Sequence, residues 1–254
     1  MTTPTDFSGC NVLVIGATTG IGRATAIAFA EAGANVAIGG LGEADGRAVE
    51  AEIKKRGRDA LFLETDVRQE AQIEKLIAAA IARWKRIHVA VNNAGTEGRF
   101  APLQDMSAAE FDNIIAVNLR GMFLGLKHEI PHMKANGGGA IVNMSSNAGL
   151  KAIANIAVYT ASKHGVAGLT KAAALETARD NIRVNAVAPG AVETGLLHRM
   201  VDGHVPIPAI AESTPMGRIS QPEEIARTIL FLASDSASYM TGVIVPIDGG
   251  GIAG

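Results

Sequence analysis

A β-strand, a glycine-rich turn and an α-helix follow one another directly near the amino terminus. The apolar run Asn11–Ile15 predicts the strand, and residues 23–32 predict the helix. The turn between them holds Gly16, Gly20 and Gly22. Glycines let a backbone approach a pyrophosphate, which the free N–H groups of a helix start stabilise. The Gly-x3-Gly-x-Gly spacing differs from the usual dinucleotide fingerprint, so the segment alone fits a nucleotide site and a purely structural turn equally well.

The rest of the chain alternates short apolar runs with longer helical stretches and contains no internal repeat. We predict further strands at residues 36–39, 61–63, 89–92, 140–144, 183–187 and 243–247. Strands that alternate with helices form parallel sheets covered by helices on both faces. The chain is therefore predicted to be a single α/β domain, residues 1–254, built on a doubly wound parallel sheet.

The composition is ordinary for a folded domain, with 48% hydrophobic and 19% charged residues in a chain of 254. A net charge of -2 without a basic block argues against nucleic acid or an anionic membrane surface as the partner. No apolar run is long enough to cross a bilayer, and residues 1–8 are polar, unlike a secretory signal. The single Cys10 excludes an intrachain disulfide. We therefore expect a cytoplasmic protein.

Polar side chains follow two of the predicted strands at their carboxyl ends. The strand at 89–92 leads into Asn93 and Gly95, and the strand at 140–144 leads into Ser146. Ligands of open α/β sheets bind at the edge that the carboxyl ends of the strands form. Both segments are therefore predicted to share one rim with the glycine turn.

Tyr159 and Lys163 lie four residues apart, and Ser146 lies thirteen residues before the tyrosine. In a helix this spacing places the phenol and the ammonium on one face. An ordinary phenol has a pKa of about 10, and a nearby cation favours its anion. We therefore expect Lys163 to lower the pKa of Tyr159 towards a range useful for acid–base chemistry. Such pairs also occur on helices that carry no chemistry, so the pair needs its context.

These motifs follow one another in a familiar order, and the chain resembles an ordinary short-chain dehydrogenase/reductase over essentially its whole length. The resemblance implies a Rossmann-type, three-layer α/β/α fold and an NAD(P)-dependent oxidoreductase that interconverts a ketone and a secondary alcohol. One departure is Ile15, which stands where the family commonly has threonine. The residues that carry the resemblance are Gly16, Gly20, Gly22, Asp66-Val67, Asn92-Asn93-Ala94-Gly95, Asn118, Ser146, Tyr159, Lys163 and Pro189-Gly190 with Thr194.

The resemblance also assigns roles to individual residues. Tyr159 would exchange a proton with the substrate oxygen, and Ser146 would hydrogen-bond that oxygen. Lys163 would lower the pKa of the tyrosine and bind the nicotinamide ribose, while Asn118 would hold the lysine through a water. The implied cofactor-binding residues are Gly16, Thr18, Thr19, Gly20, Ile21, Gly40, Leu41, Asp66, Val67, Asn93, Ala94, Gly95, Tyr159, Lys163, Pro189, Gly190, Val192 and Thr194.

The choice between NAD and NADP stays open in the sequence. An acidic residue at the end of the second strand typically binds the ribose of NAD, whereas an arginine nearby accommodates the phosphate of NADP. Gly40 stands at the acidic position and Leu41 at the basic one, so neither signal is present. Glu43 and Arg47 follow closely, but both fit a solvated helix face as well.

A long connection at residues 191–215 follows the segment predicted to face the nicotinamide, and three prolines interrupt it. Its length indicates a substrate lid of one or two short helices. Aliphatic residues in the lid and before Tyr159 favour a hydrophobic ketone or secondary alcohol, although they also fit packing beneath the lid. Glu97, Asn147 and Asn155 offer polar recognition. The aliphatic residues are Leu150, Ile153, Ile156, Leu196, Leu197, Met200, Val201 and Ile207.

Two alternatives and one assembly state complete the expectations. His128 and His132 have the spacing of a helical zinc site, but Pro131 interrupts the run and no third ligand lies near, so no metal is expected. A catalytically silent NAD(P) sensor or scaffold is the rival function, although it would not need Tyr159 with its partners. The family resemblance implies a homotetramer, with the helices around Asn118 and Tyr159 and the C-terminal segment at residues 248–251 near subunit contacts.

Overall fold

Parallel strands form the middle layer of the molecule. The computed structural model describes residues 6–253, and residues 1–5 of the polar segment at 1–8 lie outside that range. Within the described residues the strands are β1 Asn11–Ile15, β2 Asn35–Gly40, β3 Ala60–Glu64, β4 Val89–Asn92, β5 Gly139–Met144, β6 Ile182–Pro189 and β7 Ile244–Ile247. They form one sheet in the order β3-β2-β1-β4-β5-β6-β7, with every neighbouring pair parallel. The predicted doubly wound parallel sheet is confirmed.

Helices cover both faces of the sheet and connect its strands. The helices found in residues 6–253 are α1 Gly20–Glu31, α2 Glu43–Lys55, α3 Glu70–Trp84, α4 Ala108–Ile115, α5 Gly121–Ala135, α6 Ala157–Thr177, α7 Gly195–Val201, α8 Ile207–Ser213 and α9 Pro222–Ala233. The core between the sheet and one face is filled from α1, α2 and α9, and the core on the other face from α3, α5 and α6. The expected three-layer α/β/α arrangement follows from these two cores.

Alternating strand residues enter the two cores, which explains why the strands are apolar throughout. Val12 and Val14 pack on the side of α1, whereas Leu13 and Ile15 pack on the side of α3. A parallel strand buried on both faces has no position for a solvated side chain. Each of these four residues is at most 2% exposed. The sheet therefore gives the loops at its carboxyl edge a rigid base.

The predicted element bounds hold closely, with one functional exception. β1 and β4 have the predicted bounds, and the other strands differ by one or two residues at their ends. Helix α1, however, begins at Gly20 rather than at residue 23. The last two glycines of the turn therefore belong to the first turn of the helix. Its backbone N–H groups, which have no partner inside a helix, consequently lie in the glycine segment itself.

The helix pair around Asn118 is interrupted by a wider turn. Ser107 and Glu110 form the capping box that opens α4, with Glu110 N–H bonded to Ser107 Oγ at 3.2 Å. Between α4 and α5, residues Ala116–Arg120 form a π-helical turn that contains Asn118. Such turns redirect a side chain out of the helical register and are frequent at functional sites. Pro131 lies inside α5 and does not end it, since the helix continues to Ala135.

Candidate active site

Tyr159, Lys163 and Ser146 meet at the carboxyl edge of the sheet. Helix α6 supplies the tyrosine and the lysine, and the lysine Nζ lies 5.6 Å from the centroid of the phenol ring. Ser146 follows β5, where its Oγ donates to Asn147 Oδ1 at 3.2 Å and accepts from the N–H of Ala148 at 3.1 Å. The tyrosine is 8% exposed, the serine 8% and the lysine 2%. The three side chains therefore share one almost dry site.

Burial rather than the neighbouring cation sets the titration of this site. It raises the pKa of Tyr159 to about 12; the Ser146 hydroxyl lowers it, and the negative charge of Glu97 adds to the rise. Burial also lowers the pKa of Lys163 to about 8, and its Nζ donates to the Met144 carbonyl at 2.9 Å. The expected lowering of the tyrosine pKa is therefore wrong for this structure. A hydroxyl with this pKa keeps its proton throughout the neutral range, so the free protein carries Tyr159 as a phenol and not as a phenolate.

Asn118 clamps the loop that follows β4. Its Nδ2 donates to the Thr96 carbonyl at 2.8 Å and its Oδ1 accepts from the Thr96 N–H at 2.7 Å. The same Nδ2 lies 3.1 Å from Ser162 Oγ. A Cβ built on Gly95 would lie 3.5 Å from Asn118 Oδ1 and equally 3.5 Å from Lys163 Nζ, so this glycine separates the two side chains. The implied water link between Asn118 and Lys163 remains a proposal.

The glycine turn has the close backbone approaches that a dinucleotide requires. A Cβ on Gly22 would lie 2.0 Å from the Gly16 carbonyl oxygen, and a Cβ on Gly16, where φ is +86°, would lie 2.5 Å from Ala94. Only glycine fits at either position. Asn93 braces the turn by donating from Nδ2 to the Gly16 carbonyl at 2.6 Å. This narrow cradle and the N–H groups of α1 fit a pyrophosphate.

Main-chain hydrogen bonds brace the turn at position 15, where the family commonly has threonine. The Ile15 carbonyl accepts from the N–H groups of Asn93 and Ala94 at 2.9 and 3.0 Å. The Ile15 side chain itself is buried in the core on the α3 side. The turn after β4 is therefore held against β1 by the main chain.

The other expected cofactor-binding residues of the first two strand–helix turns differ in how exposed they are. Thr19 accepts the Arg23 N–H on its carbonyl at 3.1 Å, and Ile21 is half-buried in the first turn of α1. A Cβ on Gly40 would face Thr18 at 3.0 Å, while Leu41 is 58% exposed.

Asp66 and Val67, expected to flank the adenine, both have partners in the protein. Arg68 forms an ion pair with Asp66 at 2.7 Å, and its hydrogen bonds lower the pKa of that carboxyl. The Val67 side chain is 6% exposed and lies against Gly121, where a Cβ would be 2.8 Å away. Val67 therefore offers a ligand its backbone rather than its side chain.

The segment after β6 faces the glycine turn. A Cβ on Gly20 would lie 3.3 Å from Thr194 Cγ2, and Thr194 Oγ1 accepts from the Leu197 N–H at 3.3 Å, which caps α7. Pro189 is the last residue of β6, and the Gly190 N–H bonds to the Ile247 carbonyl at 3.0 Å. Val192 was expected among the cofactor contacts, but its side chain is 5% exposed in the core, so it too offers only its backbone.

The segment at residues 191–215 contains α7 and α8, and α7 lies beside an apolar cluster on Tyr159. Ile153 and Ile156 from the preceding loop and Met200 from α7 pack with the tyrosine, as does Phe100, which the sequence did not indicate. Leu150 is instead 37% exposed. The cluster forms a largely apolar wall next to the phenol.

One ion pair ties α7 to the loop clamped by Asn118. Arg199 Nε lies 2.7 Å from Glu97 Oε1, and its Nη2 lies 3.3 Å from Oε2. Glu97 is 9% exposed and adjoins Thr96, so the Asn118 clamp also fixes this carboxylate. The sequence indicated Glu97 as a polar contact but gave no signal for its partner, which is 102 residues away.

The two histidines considered for a metal have separate partners. His128 Nε2 lies 3.0 Å from Glu70 Oε1, and His132 Nε2 accepts the Ile87 N–H at 3.1 Å. In the part of the chain that the structure describes, no cluster of three or more histidine, cysteine or acidic residues could hold a metal ion. No helix among residues 6–253 is long and apolar enough to span a membrane.

Comparison with known proteins identifies the family. A sequence model described as enoyl-(acyl carrier protein) reductase matches residues 16–251. Levodione reductase of Leifsonia aquatica is 40% identical over 254 residues, which cover 97% of this chain and 95% of that protein. The chain belongs to the short-chain dehydrogenase/reductase family. A further relative is cis-4-hydroxycyclohexanecarboxylate dehydrogenase of Sinomonas cyclohexanicum, 42% identical over 94% of each chain.

Solved structures of the family agree along almost the whole chain. The crystal structure of levodione reductase superposes with a TM-score of 0.93 at 38% identity, covering 96% of this chain and 98% of that one. The structure of ElxO with NADP bound has a TM-score of 0.90 at 32% identity, covering 96% and 99%. This short-chain dehydrogenase/reductase is therefore an NAD(P)-dependent oxidoreductase, and its glycine turn fits that cofactor.

Proposed function

We propose that the protein interconverts a secondary alcohol and a ketone on a largely apolar small molecule, with Tyr159 as the general acid and base. The observation that carries this proposal is the meeting of Tyr159, Ser146 and Lys163 beside the glycine turn, with an apolar wall next to the phenol. A bound nicotinamide supplies or accepts the hydride. The protein's own residues then need only hold the substrate oxygen and move one proton.

Each side chain has a separate part in the proposed proton transfer. Tyr159 holds its proton at neutral pH because burial raises its pKa to about 12, so the proton that reduction of the ketone oxygen requires is present on the phenol. Ser146 turns its single O–H from Asn147 Oδ1 to that oxygen as a second hydrogen bond, a contribution of about 2 to 4 kcal/mol to the transition state. Lys163 lies beside the ring and offers its ammonium to the nicotinamide ribose. The Asn118 clamp keeps the loop at Gly95 in place next to the lysine.

The wall around the tyrosine favours a compact hydrophobic substrate. Ile153, Ile156, Phe100 and Met200 provide apolar surface, and the Glu97–Arg199 pair lies at its polar border. Because the arginine is already paired with a carboxylate, a neutral substrate is favoured over a strongly anionic one. A relative named for a hydroxylated cyclohexane ring supports a cyclic alcohol or ketone as the first class to test.

A substrate panel tests the proposal. The full-length protein should oxidise NADH or NADPH in the presence of cyclic ketones and diketones, and turn over open-chain sugars more slowly, because the wall is apolar. The measurement is the loss of reduced-nicotinamide absorbance with each ketone, with a no-ketone sample as the control. Tight binding of a dinucleotide without turnover of any panel member would favour the alternative function, a silent redox sensor.

We also propose that the protein is a homotetramer. Phe111, Phe123 and Leu175 lie on α4, α5 and α6 and are 47%, 47% and 84% exposed. A monomer would leave this apolar surface in water. Light scattering at micromolar concentration should therefore give the mass of four chains, and Phe123→Lys should lower it. Leu103→Lys, at a residue 64% exposed outside these helices, is the matched control and should keep the mass. A wild-type monomer would contradict the proposal.

A further inference from the structure

Strand β2 ends without a side chain that could bind an adenosine ribose. Its last residue is Gly40, and Leu41 and Gly42 follow before α2 begins. A Cβ on Gly40 would point at Thr18 in the glycine turn, 3.0 Å from Cγ2. In sheets of this type an acidic residue about 20 positions after the glycine motif binds the ribose 2′-hydroxyl. The position therefore faces the cofactor side, but its own carboxylate is missing.

A carboxylate from the neighbouring strand reaches the same turn. Glu64 ends β3 directly opposite Gly40 in the parallel register. Its Oε1 accepts the backbone N–H of Gly42 at 3.2 Å. Gly42 has a φ of +91°, a conformation that glycine adopts without strain. The Glu64 side chain is thereby held at the turn after β2, where the acidic residue of a typical dinucleotide site would lie.

Arginines near this turn are already paired with carboxylates. Arg47 Nη1 lies 3.0 Å from Glu50 Oε2, and Arg68 Nη2 lies 2.7 Å from Asp66 Oδ2. Within residues 6–253, no lysine or arginine forms an ion pair with Glu64. A phosphate on the ribose would have to compete with a carboxylate for either arginine, and it would meet the charge of Glu64 itself. Like charges placed together in an interface are strongly unfavourable.

The first turn of α2 adds to this negative surface. Glu43 and Asp45 lie there, and Asp45 Oδ2 is 3.4 Å from the position of a Cβ on Gly42. A neutral ribose hydroxyl can donate a hydrogen bond to a carboxylate. A ribose phosphate has lost most of its second proton at neutral pH, so it has little left to donate. The local negative charge therefore favours NAD(H), which carries the ribose hydroxyl, over NADP(H), which carries the phosphate.

We propose that Glu64 is the residue that selects NAD(H) over NADP(H). Its carboxylate accepts a hydrogen bond from a ribose hydroxyl and so takes the role of the acidic side chain that Gly40 lacks. The inference rests on dinucleotide binding at the glycine turn and so on the proposed function. Glu64 acts on affinity and not on the reacting atoms, which lie at Tyr159. Its effect is therefore separable from catalysis.

Calorimetric titration of the full-length protein with NADH and with NADPH tests the inference without any turnover. We expect the wild type to bind NADH at least about tenfold more tightly than NADPH. Glu64→Gln should raise the Kd for NADH about tenfold and lower the Kd for NADPH, because glutamine keeps the length and the bond to Gly42 but not the charge. Glu176→Gln is the matched control, since it removes an equal exposed charge from the last turn of α6, away from this turn, and it should leave the ratio unchanged.

Three results would overturn the inference. Tighter binding of NADPH by the wild type would do so, as would a ratio of the two Kd values that Glu64→Gln leaves unchanged. Either result would leave the oxidoreductase proposal intact, because one dinucleotide still binds. Failure of the wild type to bind either dinucleotide would overturn both. Glu64 is exposed, so the variant is expected to melt at the wild-type temperature, which the same samples can show.

Discussion

Tyr159→Phe should lower kcat for ketone reduction by about 100-fold to 10,000-fold while leaving the fold and dinucleotide binding nearly unchanged. The substitution removes only the phenolic hydroxyl, which is the proposed proton donor. The ring stays, and with it the packing against Ala148 and Ile156. Because the lost group donates a proton in the transition state, kcat should fall much more than KM changes. Steady-state kinetics on a ketone that the wild type reduces give both constants.

The chain offers a matched control for this substitution. Its only other tyrosine, Tyr239, is fully exposed, so Tyr239→Phe makes the same chemical change away from the site. That variant should keep the wild-type kcat. If Tyr159→Phe retained more than about a tenth of the wild-type kcat, the tyrosine would not be the main proton donor, because general acid catalysis contributes at least about 100-fold. Calorimetry with the dinucleotide shows that any loss is not a loss of cofactor.

Much of this site could be predicted from the sequence because its parts are local. The i, i+4 spacing of Tyr159 and Lys163 fixes their common helix face. The close backbone contact at Gly22 explains why that turn needs glycine. The strands were equally readable, since a strand buried on both faces is apolar throughout. Such features depend only on neighbours along the chain and on one sheet. They therefore appear in the sequence with nearly their final bounds.

Features that depend on distant residues were not readable. The π-helical turn at Asn118 leaves no mark in the residue pattern, and the Glu97–Arg199 pair joins positions 102 residues apart. The direction of the shift in the pKa of Tyr159 was predicted wrongly for the same reason. Helical spacing shows the nearby ammonium, whereas the larger effect is burial, to which Met200 of α7 and the loop before α6 contribute. Tertiary packing outweighed a correct local contact.

A buried acid on α5 was likewise missed, and it has no part in the proposed chemistry. Glu129 is 1% exposed, and Asn92 Nδ2 donates to its Oε2 at 3.0 Å. The same amide reaches Asn143 at 3.1 Å, and Asn143 reaches Thr170 at 3.0 Å, so the network joins α5, β4, β5 and α6. Glu129 Oε1 is buried without a hydrogen-bond partner among residues 6–253. An ionised carboxylate in such a place is costly.

Burial therefore raises the pKa of Glu129 from its ordinary 4.5 to about 7, even though the bond from Asn92 lowers it. Between these two pH values the folded protein holds a proton that the unfolded chain has lost. By linkage, the contribution of Glu129 to the free energy of unfolding is fully present below pH 4.5, and it is lost as the pH rises to about 7. A shift of this size corresponds to about 3 kcal/mol. Above neutral pH the folded protein carries this full cost.

Glu129→Gln should remove that cost, because glutamine resembles the protonated acid in shape and has no charge. Relative to the wild type, its free energy of unfolding should rise by about 3 kcal/mol on going from acidic to mildly alkaline buffer. Urea denaturation of both proteins across this pH range measures the difference. Glu50→Gln is the opposite control: burial opposes its charge, but Lys54 and Arg47 outweigh burial and lower the pKa of Glu50. Its ionised form is stabilising, so that variant should lose stability at neutral pH. A Glu129→Gln difference that does not change with pH would show that the buried carboxyl does not hold its proton.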